Sequence, residues 1–145
     1  MELNGETLRF IREHCKDDVR SLALQAPKYP GVDMPVALTQ IAGRQAAAEK
    51  IPSWHEEEGV LYPRHLSLEQ CSSEATARYK ASIIPGSSSG TLTDLTGGFG
   101  IDCAFLSPRF HHVTYVERQE VLCEIASHNF PLLGLNHIRI ENKDA

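Results

Sequence analysis

The chain has 145 residues and a formal net charge of −5. That length sets one domain, or one and a half, and allows a real core. The acidic balance offers no broad basic footprint for nucleic acid, and no run of about eighteen apolar residues exists that could span a membrane. The start, Met1 to Glu6, is acidic and lacks the apolar stretch of a signal peptide. Cys15, Cys71, Cys103 and Cys123 are scattered with no CxxC. Reduced thiols and a cytoplasmic location are the expectation.

The first part reads as helical. Leu8, Ile11, Cys15, Val19, Leu22 and Ala26 recur at three- and four-residue steps, one face of a helix or of two short ones. Asp17 or Asp18 suits a cap for a restart after Cys15. Pro27, Pro30 and Gly31 break the pattern. Pro35 fits the first turn of a further helix, with Leu38, Ile41, Ala42 and Gln45 on one side. Ile51–Trp54 ends it. Residues 54–63 are expected to be loop, with a short strand at Val60–Tyr62. Ser67-Leu68-Glu69-Gln70 has the form of a capping box, which predicts a helix over 69–82.

Pro85-Gly86-Ser87-Ser88-Ser89-Gly90 is the clearest boundary. It divides a mainly helical N-terminal domain, 1–85, from a different pattern over 86–145. The three serines do not make a nucleophile elbow, because no strand-to-helix turn encloses them. Past Gly90 the order is β-loop-α-β-α-β. Thr91–Leu95 reads as a strand, Ile101–Leu106 as a helix closed by Pro108, and Val113–Val116 as a strand. A helix over Arg118–Asn129, with Val121, Leu122 and Ile125 on one face, leads to Gly134 and a third strand at His137–Glu141. Strands alternating with helices predict an α/β fold with right-handed crossovers and a parallel sheet.

Asp94-Leu95-Thr96-Gly97-Gly98-Phe99-Gly100-Ile101-Asp102 follows the first strand. Glycines there let a ligand approach the backbone, and the next helix offers free N–H groups. Gly98-x-Gly100 alone is a weak signal. Cys103 stands where the dinucleotide fingerprint wants glycine or alanine, and no Gly-Lys-Ser/Thr is present. The charges discriminate better. A pyrophosphate here would face Asp94 and Asp102, both anionic. S-adenosylmethionine presents an ammonium and a sulfonium instead. Asp94 suits the ammonium, and the backbone donors of Gly98–Gly100 suit the carboxylate.

Glu117 ends the second strand, twenty-three residues beyond Asp94. Neighbouring parallel strands would bring the two together, and a carboxylate there can accept both hydroxyls of a ribose. That spacing also fits NAD, so an NAD-type enzyme half remains a second reading. Asp144, after the third strand, suits the exocyclic amine of adenine. Asp102 has an alternative role as a helix cap. Arg78, Tyr79 and Lys80 suit the mouth of the site, an RNA phosphate, or simply the polar face of a helix. Seven histidines show no three- or four-residue spacing, and His111 and His112 are expected on opposite faces of a strand, so no metal site is expected.

The run Asp94–Asp102 resembles motif I of class I S-adenosylmethionine-dependent methyltransferases, most closely RNA-type members of DxTxGxGxD form. Residues Gln70–Ala81 resemble the region before motif I in bacterial methyltransferases with a THUMP-like domain further on. The resemblance implies a helical N-terminal domain followed by the first half of a Rossmann-like methyltransferase sheet. It implies a cofactor site of Asp94, Thr96, Gly97, Gly98, Phe99 and Gly100, completed by Asp102, Glu117, Arg118 and Asp144. RNA is the implied methyl acceptor.

A methyltransferase of this class has seven strands and a catalytic Asn/Asp-Pro-Pro-aromatic loop after the fourth. Neither strands four to seven nor that loop is found here. The chain is therefore expected to be an N-terminal fragment, inactive alone, or to have the edge at Thr91–Leu95 closed by another chain, with self-association through it. A non-catalytic module whose helices bind a partner is a third reading.

Overall fold

The computed structural model describes residues 2–85 and 90–145. Most of the Pro85–Gly90 boundary thus lies outside the described residues. The N-terminal face divides into two short helices, α1 (Gly5–Glu13) and α2 (Val19–Leu24). Each starts on a side chain that takes an orphan N–H. Asn4 accepts from Thr7 N at 2.8 Å, and Asp18 accepts from Ser21 N at 3.1 Å. After a 3₁₀ turn at Ala26–Lys28, Asp33 and Pro35 open α3 (Met34–Lys50).

The buried stripe of α3 differs from the sequence expectation. Ala37, Gln40, Ile41 and Ala47 face inward, while Gln45 is exposed. Gln40 is inside because its amide pairs with the backbone of Tyr62, donating to Tyr62 O at 2.9 Å and accepting from Tyr62 N at 2.8 Å. Asn129 does the same for Leu61, at 2.9 and 2.8 Å. Residues 60–62 therefore belong to no strand among the described residues. Two buried amides take the place of a neighbouring strand, satisfying backbone groups that burial would otherwise orphan. The expected strand there is absent for that reason.

The expected loop before it starts with a helix instead, α4 (Pro52–Glu56), with proline in its first turn. The helix expected over 69–82 is two: α5 (His65–Gln70) and α6 (Glu74–Ile83). Ser67 lies inside α5, so it caps nothing. The working cap is Ser73, whose hydroxyl accepts from Thr76 N at 3.1 Å. Cys71 is extended (φ −72°, ψ 158°), which breaks the helix between them.

The C-terminal part follows its pattern closely. It runs β1 (Thr91–Asp94), α7 (Ile101–Leu106), β2 (His112–Glu117), α8 (Glu120–Leu132) and β3 (Ile138–Asn142). A 3₁₀ turn carrying Pro108 closes α7. The fold is α/β: helices packed with a three-stranded parallel sheet of order β1-β2-β3. Asp94 pairs in register with Tyr115, and Glu117 with Asn142, so the strand ends carrying acids lie side by side. Gly134 at φ 75° ends α8 in the left-handed region, with Leu135 N returning to Phe130 O at 2.8 Å. Leu122 and Ile125 are buried, but Val121 is exposed, one step off the inner face. His111 precedes the strand, and its ring meets that of His112 edge-on at 5.2 Å, so the two do not point to opposite faces.

Hydrophobic packing forms two clusters. One lies among α1–α3, around Phe10, Leu22, Met34, Ala37 and Ile41. The other joins Trp54, Tyr62, Leu68 and Ala77 to Phe99, Ile101, Tyr115 and Phe130. The second cluster runs across the 85/86 position, so the helical segment and the sheet share a core. No described helix is long and apolar enough to cross a membrane.

Candidate functional site

The glycine turn between β1 and α7 is built to lie flat on Tyr115. Gly97 N donates to Val116 O at 2.8 Å, and a Cβ on Gly97 would stand 2.3 Å from Tyr115 Cε2. Only glycine fits so close a backbone approach. Gly98 (φ 56°) and Gly100 (φ 92°) use the left-handed region that makes the turn possible. Tyr115 Oη donates to Gly98 O and ties the turn to the strand beneath. Phe99 leaves the turn for the core. Its ring is 2 % exposed and meets Trp54 edge-on at 5.2 Å, so only its backbone is available to a ligand.

A cavity of about 630 Å³ opens over this turn. Asp94, Thr96, Gly97, Gly98, Phe99 and Gly100 line it, together with Asp102, Glu117, Arg118 and Asp144. All ten residues singled out in the sequence thus border one space. Its size suits a small-molecule ligand.

The carboxylates differ in how they are held. Glu117 is nearly buried, and both its oxygens receive backbone donors: Gly98 N at 2.9 Å and Gln119 N at 2.8 Å. Each oxygen keeps a further lone pair for a diol. Asp94 Oδ1 accepts from Thr96 N at 3.1 Å. Burial raises the Asp94 pKa above its ordinary value, the Thr96 amide opposes that, and the nearby Asp102 and Glu117 add to it. Asp102 does not cap α7. The N-cap is Gly100, and the Oδ2 atom of Asp102 instead receives Ser72 Oγ and Lys80 Nζ, each at 3.0 Å. Its Oδ1 is buried with no hydrogen-bond partner among the described residues.

Two expectations need correction. The backbone donors of Gly98–Gly100 are not free to take a carboxylate as a set. Gly98 N serves Glu117, and Gly100 N serves Gly97 O at 2.9 Å. Arg78 does not line the mouth. It pairs with Glu74 at 3.1 Å and lies over the Phe105 ring at 4.9 Å. Lys80, its neighbour two positions on, is the one that reaches a site carboxylate. Burial pushes the Cys103 thiol up to about 12, so it is no nucleophile at neutral pH. No group of described residues could hold a metal ion.

Sequence reasoning missed Ser72, Gln119 and Asn142. Ser72 meets Asp102 across thirty positions, a contact with no sequence signature. Gln119 supplies the amide on Glu117. Asn142 Nδ2 donates to Glu117 O at 2.9 Å and Arg118 O at 3.1 Å, tying the end of β3 to the loop after β2.

The chain matches no family model, and it matches no curated protein in sequence. Among solved structures, a proposed methyltransferase from Porphyromonas gingivalis W83 superposes with a TM-score of 0.72 at 28% identity, over 93% of this chain. This chain spans 33% of the length of that protein. An rRNA methylase from Streptococcus thermophilus is a looser match, with a TM-score of 0.42 at 21% identity, covering 48% of this chain and 41% of that one. Over nearly its whole length, then, this chain has an α/β fold similar to that of the Porphyromonas protein, with the cavity at the C-terminal ends of the parallel strands.

Proposed function

We propose that this chain is the cofactor-holding part of an S-adenosylmethionine-dependent methyltransferase that acts on RNA. The observation that supports it best is charge. Asp94, Asp102, Glu117 and Asp144 border one cavity, against Arg118 and Lys143 in its lining and Lys80 on Asp102. A space of that sign disfavours a diphosphate and favours a ligand with an ammonium and a sulfonium. Asp102 Oδ1, buried with no partner among the described residues, is an acceptor left for a donor from the ligand. The similarity to the Porphyromonas protein points the same way. RNA as the acceptor rests on the motif form at Asp94–Asp102.

In this reading Asp94 attracts the ammonium, Glu117 holds the ribose hydroxyls, and Asp144 accepts from the adenine amine. The bound cofactor supplies a methyl group already activated on sulfur. The residues of this chain do no bond-breaking; they fix the donor's position so that an acceptor can approach in line. No residue of this chain is assigned to acceptor binding or catalysis. The β1 edge is where a further strand, or a second copy, would extend the sheet.

The sole tryptophan provides the test. Trp54 is 3 % exposed and touches Phe99 in the glycine turn, so its fluorescence reports on that turn. Titration with S-adenosylhomocysteine should give a saturable change that Asp94→Ala/Glu117→Ala removes. A saturable response to NADH, with none to S-adenosylhomocysteine, would reject the proposal.

A further inference from the structure

The short helix α5 is bordered by open space on several sides. Three cavities meet around it. Ser67 and Ser72 border the one of about 630 Å³ over the glycine turn. Arg64 and Ser67 border a second of about 540 Å³ against α3 and α8. His65 and Leu68 border a third of about 240 Å³. No side chain caps its N-terminus, and Leu66 is 62 % exposed. Leu68 is its one buried side chain.

What holds this segment is mostly polar and reaches it from outside. Lys50 Nζ donates to Leu68 O and Glu69 O, both at 2.8 Å, at the helix C-terminus. At the far end, Ser72 and Lys80 converge on Asp102 at the mouth of α7. With Leu68 and the half-buried Cys71 as its apolar anchors and cavities on three sides, this segment opens at low cost compared with α3 and α8, which bury six residues each. The clamp at Asp102 joins it to α7, the helix that follows the glycine turn.

We propose that residues 64–73 form a cover over the cavity at the glycine turn, latched by the contact of Ser72 and Lys80 with Asp102. The closing role rests on the ligand reading above; the opening rests on packing alone. Opening α5 would widen the cavity, and closing it would shut a bound ligand away from water. The latch places a cation from α6 on a site carboxylate, so closure also balances part of the negative charge crowded there.

Hydrogen exchange on the described chain tests this, with and without S-adenosylhomocysteine. Without ligand, amides of α5 should exchange on the order of a hundredfold faster than those of α3 and α8. Ligand should slow them together with residues 97–102. Lys80→Met should raise ligand dissociation about tenfold and speed exchange in 64–73, leaving α3 and α8 unchanged. If that variant loosens α8 as well, Ser72→Ala takes its place with the same expectation. Exchange in α5 as slow as in α8 would overturn the proposal. So would protection of residues 97–102 by ligand without protection of 64–73, which leaves the cofactor reading standing. Protection of neither would remove the cofactor reading, and the cover with it.

Discussion

The two parts of the molecule use their polar side chains in opposite ways. In the helical part, Asn4, Asp18, Asp33 and Ser73 each cap the start of a helix. Glu74 there binds Ser53 N at 2.9 Å and pairs with Arg78. Those groups close the structure's own accounts of donors and acceptors. In the sheet part, α7 and α8 start on Gly100 and Gln119 without any side-chain cap. Asp94, Asp102 and Glu117 stand around one cavity instead, where burial, with the other two acids adding to it, raises the pKa of Asp94. Acids used as caps stabilise a fold. Acids collected at strand ends, facing a cavity, work against it and are the mark of a site.

The largest test of that contrast is steric. Gly97→Ala would drive a methyl into the Tyr115 ring, and unfolding in urea should show a loss of about 3 kcal/mol. Gly5→Ala, where a Cβ meets nothing within 4 Å at the first turn of α1, should leave stability unchanged or raise it by up to about 1 kcal/mol. If both cost the same, the turn is not as tightly seated as described. Next comes the amide that stands in for a strand. Asn129→Ala leaves the Leu61 N–H and carbonyl unpaired and should cost about 2 kcal/mol in the same melts.

Smaller still is a cap. Ser73→Ala should cost about 1 kcal/mol, with thermal unfolding as the readout. The smallest effect has the opposite sign. The Asp94 pKa is raised on folding, so the native state holds its proton more tightly than the unfolded chain does. Its ionisation therefore lowers stability as pH rises above the ordinary value of 3.8. Asp94→Asn should be slightly more stable than the parent near neutral pH, and the difference should vanish below pH 3.8. Ligand binding should weaken in the same variant. A variant less stable at every pH would make Asp94 a structural residue, and the contrast between the two parts would fail.

Local pattern carried the sheet part well. Strand, glycine turn, helix and strand followed from β-branched runs, alternation and punctuation, because these act between residues near each other in sequence. The parallel order then brought Asp94 and Glu117 together with no further information, since parallel neighbours align their C-terminal ends. The helical part was harder to read from the chain. Ser67 heads a capping-box pattern but lies inside α5, and Ser73, which the pattern did not mark, caps α6. Val60–Tyr62 has the residues of a strand, but its backbone is satisfied by Gln40 and Asn129, twenty-two and sixty-eight positions away.

The acids of the site, the parallel α/β class and the glycine turn were written in neighbouring residues, where sterics and periodicity operate. Which donors each acid already holds, and that Lys80 and Ser72 reach Asp102, depended on contacts between elements distant in the chain. Such contacts form only when apolar surfaces from both parts of the molecule are buried together, so no pattern within a single segment could announce them.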